Sequence, residues 1–440
     1  MSPQGHNGFL IAAPQSGSGK TTLTLGLLRA LRNEGVGLQP AKAGPDFIDP
    51  AFHERASGET CYNLDPWAMR PELIAGLVLP QATERLLVVE GMMGLFDGAA
   101  SGRGSAADLA EILSLPIVLV VDCAKQSHSI AALVSGFVNF RPSLRFGGVV
   151  LNNVGSDRHE AMMREALASL SVEILGVVYR HKDLILPERH LGLVQASEHD
   201  ELDSFLERAA SVVRESIDLA AIRALARGAS KRSGAPVRAI NPLGQRIAVA
   251  TDDAFRFSYP HLLKGWREQG AEILPFSPLT DETPDEACDA VYLPGGYPEL
   301  HPGSLAANSR FLRTLRNAAD ASKTIYGECG GYMVLGEGLI DANGKRHKMA
   351  NLLPLVTSFE KRKLSLGYRN VTTLSDTPFG RAGSPFSVHE FHYSTVVDEH
   401  AGTVDPLFSA VDARGADLGV FGMRNQTVMG SYMHLIDRRD

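Results

Sequence analysis

Two stretches of this sequence carry residue types at spacings suited to chemistry. The first is Ala13-Pro14-Gln15-Ser16-Gly17-Ser18-Gly19-Lys20-Thr21-Thr22. It follows the apolar run 9–12 and precedes Leu23, Leu27 and Leu31 at four-residue spacing. That pattern predicts a strand, a glycine-rich loop and a helix, the context of a phosphate-binding loop. There the backbone N–H groups of Gly17, Ser18 and Gly19 face phosphate oxygens at a helix N-terminus. Lys20 reaches the β- and γ-phosphates, Thr21 holds Mg²⁺, and Thr22 completes the ATP-binding set. Pro14 stands where the first glycine of this pattern usually falls. The second stretch is Gly327-Glu328-Cys329-Gly330-Gly331, which follows Thr324-Ile325-Tyr326. Gly-x-Cys-x-Gly has the form of a nucleophile elbow, whose glycines relieve crowding at a tight strand-to-helix turn. Cys329 is the expected nucleophile, with thiolate character from the following helix N-terminus and a nearby base. The N–H of Gly330 and one from Gly296 are expected to form an oxyanion hole. The base is a histidine distant in sequence, and spacing alone does not choose among His389, His392 and His434. Cys61, Cys123 and Cys288 read as small buried apolar residues.

The elements that must position these groups alternate between strands and helices, which predicts a parallel sheet covered on both faces. Residues 85–90 form an apolar strand ending in Glu90, the second half of a Mg·ATP site. Glu90 is the main metal-side carboxylate and Asp97, in the following glycine-rich segment, a secondary one. A short strand at 36–40 runs into a Gly-Pro loop holding Lys42, Asp46 and Asp49. Such a loop at a strand's C-terminal end is where ligands sit in open parallel sheets. Asp46 reads as a Mg²⁺ or phosphate-site partner, or as part of a solvated turn. Further strands are expected at 116–121, 147–153 and 174–178. Asn152 and Asn153 either read a purine base or cap the local backbone. Segment 187–193 either closes over the site or packs as a helix-start loop. A long helix is expected over 201–227. The fold class is therefore α/β, with an N-terminal P-loop domain (1–228), a proline-broken linker (229–245) and a second α/β domain (246–440).

Composition narrows the class. Forty-three basic against fifty acidic residues give a net charge of −7, with no basic footprint for nucleic acid. No apolar run approaches the roughly 18–20 residues of a membrane span. The N-terminus has no charged-then-apolar leader, and the four cysteines share no metal spacing. A reduced, cytoplasmic, membrane-free enzyme of small molecules is expected.

The first half resembles the dethiobiotin-synthetase-like branch of P-loop proteins, and the second a class I glutamine amidotransferase. Together, KAGPDFIDP (42–50), VEGMMGLFDG (89–98), PERHLGL (187–193), LPGGYPELHP (293–302), YGECGGYMVLG (326–336) and HEFHYS (389–394) resemble the cobyrinic or hydrogenobyrinic acid a,c-diamide synthase family over nearly the whole chain. The resemblance implies that Cys329 attacks the side-chain amide of glutamine and releases ammonia, with His434 as its base. It places Gly296, Gly330, Tyr393 and Ser394 at the glutamine site. It implies that ATP phosphorylates a corrinoid carboxylate, with Thr21, Asp46 and Glu90 on the Mg²⁺ side and Lys42, Asp46, Asp49 and Asp97 toward substrate and phosphate. Ammonia then displaces phosphate. The expected ligands are glutamine, ATP, Mg²⁺ and a corrinoid carboxylate, in the cobalt-free form on resemblance. A homodimer is carried as an expectation, as is an enclosed passage for ammonia. Class I amidotransferases usually place Glu two residues after the base, where this chain has Ile436, so His434 must be oriented from elsewhere. The nearest rival is a cobyric acid synthase. A MinD/ParA-like ATPase switch is disfavoured, because Gln15 stands where such proteins carry a second lysine.

Overall fold

The computed structural model describes residues 7–78, 85–181, 184, 188–189, 192–193, 201–226, 239–399 and 403–439. The chain divides into two compact units, Met1–Val237 and Arg238–Asp440. The division lies inside 229–245, of which only 239–245 are among the described residues. Most of 187–193 also lies outside them.

In the first unit the elements are β1 (Gly8–Ala12), α1 (Lys20–Asn33), β2 (Leu38–Ala43), α2 (Asp49–Ser57), β3 (Tyr62–Leu64), α3 (Pro71–Val78), β4 (Leu86–Glu90), α4 (Ala106–Leu113), β5 (Ile117–Asp122), α5 (Ile130–Phe140), β6 (Phe146–Val154), α6 (Asp157–Leu167) and β7 (Ile174–Tyr179). The two-residue strands β8 (Glu188–Arg189) and β9 (Gly192–Leu193) precede α7 (Leu202–Ser216) and α8 (Leu219–Leu225). The expected single helix over 201–227 is thus two. Asp218 caps the second by accepting a hydrogen bond from the N–H of Ala221. Seven parallel strands run in the order β3-β2-β4-β1-β5-β6-β7. β1 and β4 are buried along their whole lengths, as apolar strands covered on both faces must be.

The second unit continues with β10 (Arg246–Ala250), α9 (Pro260–Glu268), β11 (Glu272–Phe276), β12 (Ala290–Leu293), α10 (Pro302–Ala307), α11 (Ser309–Asp320), β13 (Thr324–Glu328) and α12 (Gly330–Leu335). It ends with β14 (Gly338–Ile340), β15 (Arg346–Lys348), β16 (Leu355–Ser358), β17 (Ser365–Thr373), β18 (Pro385–His392), β19 (Thr395–Glu399), β20 (Asp405–Asp412), β21 (Asp417–Asn425), β22 (Val428–Ser431) and β23 (Met433–Arg438). Its large sheet has ten strands, β11-β10-β12-β13-β22-β21-β20-β17-β18-β23, parallel from β11 to β22 and antiparallel thereafter. Only Tyr432 separates β22 from β23, yet the two lie far apart in strand order, so the chain turns sharply there. Among the described residues no helix is long and apolar enough to cross a membrane.

Candidate active sites

Strand register assembles the first site. Ile11 of β1 pairs with Glu90 of β4, and Lys42 of β2 pairs with Glu90 from the other side. The loop after β1, the carboxylate ending β4 and the lysine of β2 therefore meet at the C-terminal ends of three adjacent parallel strands. Lys42 lies on a strand, not in the expected loop, because β2 continues through Ala43. In the loop, Gly17 and Gly19 have φ of 76° and 84°, a left-handed region that favours glycine. A Cβ on Gly19 would also collide with the Asn152 amide. That amide donates to the Ser18 carbonyl at 2.9 Å, and the Asn153 amide donates to Asp122 at 2.9 Å. Both asparagine side chains thus bond within the protein through their amide N–H groups.

Glu90 is the centre of a buried network. It accepts from Thr21 Oγ1 at 2.7 Å and from Lys42 Nζ at 2.8 Å, and contacts His53 Nε2 at 2.7 Å. Burial alone would raise its pKa, but Lys42 and His53 outweigh it and hold the carboxyl well below the usual range. Burial would likewise lower Lys42, but Asp49, Glu90 and Asp46 keep it well above its ordinary value. Asp49, 2.5 Å from Lys42 Nζ, is lifted to about 6 by burial and by Asp46, against the pull of Lys42. Asp46 accepts from the backbone N–H groups of Ile48 and Asp49 at 2.9 and 3.0 Å, and so shapes the start of α2. Lys20 is buried and donates to the Met93 carbonyl at 2.7 Å, and desolvation lowers its pKa. That bond ties the phosphate loop to the 93–97 turn, where Asp97 accepts from the Gly94 N–H at 2.9 Å. Thr22 is half-buried on the first turn of α1. His53 is the member that sequence reading missed. Its only signal is the four-residue spacing from Asp49, which puts both on one face of α2.

The second site forms where β13 turns into α12. Cys329, between them, has φ 47° and ψ −104°, a conformation uncommon for a residue with a Cβ. Its N–H donates to the Ser431 carbonyl of β22 at 2.8 Å, which pins the turn. The neighbouring glycines have no room for side chains. A Cβ on Gly331 would collide with the Leu293 carbonyl, and one on Gly330 would lie 3.0 Å from the Gly296 nitrogen. The backbones of Gly330 and Gly296 thus lie side by side next to the thiol, as an oxyanion hole requires.

His434 lies on β23 and is fully buried. A Cβ on Gly295 would collide with its Cε1 and lie 3.1 Å from its Nε2 and 3.2 Å from Cys329 Cβ. Imidazole and nucleophile therefore converge over Gly295, which separates His434 from the other two histidines. His389 faces His434 across the β18–β23 pair and is pushed down to about 3 by burial, with His434 and Arg369 adding to the effect. It stays neutral at physiological pH. His392 contacts Glu390 Oε1 at 3.1 Å and stacks on Tyr432 with centroids 3.8 Å apart. Ser394 is buried, donates to the Tyr432 hydroxyl at 2.9 Å, and lines a cavity of about 450 Å³ with Tyr332, Glu390, His392 and Tyr432. Tyr393 is half-buried beside it. The Cys329 thiol lies 3.6 Å from the Phe391 carbonyl in the same segment. Gly295→Ala is expected to lower glutamine hydrolysis by about 100-fold by displacing the imidazole, read as glutamate release.

The thiol is not poised as a thiolate, which corrects the sequence expectation. Burial, then Glu299, Glu328 and Glu390, push Cys329 far above the ordinary thiol range. Its proton must therefore leave to a base in the course of reaction. Ile436 supplies no carboxylate, and its carbonyl is engaged by His261 Nε2 at 2.8 Å. The carboxylate of Glu328 lies 3.6 Å from His434 Nδ1.

Comparison with known proteins agrees with this geometry. Residues 9–194 match the family model of the CobQ/CobB/MinD/ParA nucleotide binding domain. Residues 246–440 match that of the CobB/CobQ-like glutamine amidotransferase domain. The chain is 58% identical over 433 residues to the hydrogenobyrinate a,c-diamide synthase of Brucella anthropi, covering 98% of each chain. It is 56% identical over 432 residues to that of Rhizobium meliloti, covering 98% of this chain and 99% of the relative. With a phosphate loop and a Cys-His elbow on one chain matched end to end by these relatives, the protein belongs to the hydrogenobyrinate a,c-diamide synthase family.

Proposed function

We propose that this chain converts the a and c side-chain carboxylates of hydrogenobyrinic acid to amides, using ATP and the amide nitrogen of glutamine. The observation that carries this reading is the pairing on one chain of the Glu90-centred phosphate-loop site with the Cys329–His434 elbow. A switch ATPase has no use for the second of these.

At the elbow, the Cys329 thiol gives its proton to His434 Nε2 as sulfur attacks the amide carbon of glutamine. The N–H groups of Gly330 and Gly296 receive the developing oxyanion. The imidazolium returns the proton to the departing nitrogen, leaving ammonia and a thioester, which water hydrolyses to glutamate with His434 again as base. At the other site a substrate carboxylate oxygen attacks the γ-phosphorus of ATP, ADP leaves, and ammonia then displaces phosphate from the acyl phosphate. Activation is needed because hydroxide is a poor leaving group and phosphate a good one. Lys20 and the N–H groups of Gly17, Ser18 and Gly19 offset charge on the transferring group.

Thr21 Oγ1 and Glu90 would hold Mg²⁺, which supplies further charge neutralisation when bound. Their hard oxygen donors fit that ion. Among the described residues no cluster of three acidic, His or Cys side chains could hold a metal alone, as suits an ion that keeps waters and phosphate oxygens as ligands. Asp46, Asp49 and Lys42 stand on the substrate side.

The corrinoid ring also needs an apolar seat beside the phosphate. Phe96, next to Asp97, packs on Phe137 and Phe140 at centroid distances of 5.4 and 4.7 Å. Phe140 is 71% exposed, and α5 carries no charged residue. This cluster shares the 93–97 turn with the Lys20 anchor, and it supports a seat for the macrocycle. Phe140→Ser is expected to raise KM for the corrinoid by about tenfold, with KM for ATP unchanged. A change of oligomeric state in place of the KM effect would assign the patch to a subunit contact.

The reading itself is tested with purified protein, Mg·ATP and glutamine, offered hydrogenobyrinic acid and its cobalt form in parallel. A mass change of two amides with matching ADP release is expected, with the cobalt-free acid preferred. ATP hydrolysis with no amide gained on either corrinoid would overturn it.

A further inference from the structure

Glu328 sits where the chain needs a carboxylate and where the usual position supplies none. It closes β13, one residue before the nucleophile, and is 1% exposed. Alternation along β13 puts Tyr326 and Glu328 on one face. Tyr292 of β12 pairs with Tyr326 in register and stacks on it, with ring planes 10° apart. The two hydroxyls converge on the carboxylate. Tyr292 donates to Oε2 at 2.7 Å and Tyr326 to Oε1 at 3.1 Å, while the backbone N–H of Leu435 donates to Oε1 at 3.0 Å. Leu435 follows His434 directly, so this bond fixes the base's strand to the nucleophile's strand.

A buried carboxylate is costly unless it is hydrogen-bonded or paired with a cation. Glu328 has three donors, and His434 Nδ1 lies 3.6 Å from its carboxylate. His389 stands opposite His434 in register, kept neutral, with Arg369 beyond and engaged by Glu390 at 2.9 Å. The Cys329 thiol lies on the Gly295 side, toward Nε2.

We propose that Glu328 replaces the triad carboxylate absent at Ile436. It takes the Nδ1–H of His434, leaves Nε2 free to accept the Cys329 proton, and stabilises the imidazolium formed when it does. Glu328 touches neither glutamine nor the reacting sulfur, so it is a positioning residue. This rests on the glutaminase reading above, and wild-type glutamate release is therefore measured first. Failure there would fall on that reading and not on Glu328.

The test is Glu328→Gln, which keeps shape and burial, beside Glu328→Asp. For Glu328→Gln we expect glutamine hydrolysis to fall by about 10⁴-fold in kcat with KM for glutamine little changed, as when a triad carboxylate is neutralised. Amidation supported by added ammonia should be intact, which reports that the chain is folded. A carboxylate beside an imidazole favours its protonated form. Its loss should therefore move the acid limb of the kcat/KM profile for glutamine downward by about one pH unit or more. Glu328→Asp should recover part of the rate and part of the shift. Tyr292→Phe removes a donor that tempers the carboxylate's charge, and should move the limb upward. That variant also carries the test if Glu328→Gln does not fold. An unmoved acid limb, or Asp no better than Gln, would overturn the assignment whatever the fall in rate.

Discussion

Cys329→Ala is expected to abolish glutamine-supported amidation and leave ammonia-supported amidation within about twofold of wild type. Removing an attacking nucleophile typically costs roughly 10⁴-fold or more, because the covalent route is lost outright. Cys61, Cys123 and Cys288 are buried, and none of them is the thiol on which His434 and the Gly295, Gly296 and Gly330 backbones converge. The substitution removes only the sulfur from a position whose backbone is held by Ser431. Added ammonia bypasses the elbow, so the phosphate-loop chemistry should still run. Glutamate release and corrinoid mass are measured on the same samples. Persistent glutamate release would place the nucleophile elsewhere, and loss of the ammonia-supported reaction would mean that the variant has damaged more than one site. Because the wild-type thiol is held protonated, its alkylation by iodoacetamide at neutral pH should also be slower than that of a free thiol.

The contrast between what was legible in the sequence and what was not has a physical basis. Lys20, Thr21, Cys329 and their glycines lie within single short segments, where local backbone geometry dictates residue type. Gly331 shows the strength of that constraint, since any side chain there would strike the Leu293 carbonyl. His53 and Glu328 were not legible, because their roles come from strand register and helix packing between distant segments. His53 reaches Glu90 only because α2 packs beside β2, and Glu328 reaches His434 only because β23 returns to β13. The choice of His434 over His389 likewise depends on the side-by-side placement of Gly295 and Cys329. The thiolate expectation failed for another reason. A helix N-terminus favours the anion, but Glu299, Glu328 and Glu390 act together with burial against it, and a sequence does not reveal how many carboxylates will face one sulfur.

Glu90→Gln is expected to reduce both glutamine- and ammonia-supported amidation by roughly 10²–10³-fold, as loss of one preorganised charge contact typically does. The shared loss distinguishes it from the Cys329 variant, and ADP release should fall in parallel. Stability should fall as well. Glu90 is the common partner of Lys42 and His53, all three buried, and breaking a buried pair by removing one charge costs about 3–5 kcal/mol. The sign with pH follows from the depressed folded-state pKa of Glu90. The charged form contributes stability that is complete above the unfolded glutamate range, near about 4.3, and is lost as pH falls through the folded value. Asp49, lifted to about 6, has the opposite dependence, contributing less as pH rises from its unfolded value through 6. Thermal melts of the two proteins are therefore compared at pH 7 and again below about pH 4, on either side of the Asp49 transition. The gap in Tm should be wide at pH 7 and narrow at the acid end. A gap that does not change with pH would mean that the network is held by shape and not by charge. Ammonia-supported amidation within twofold of wild type would remove Glu90 from the phosphoryl-transfer site.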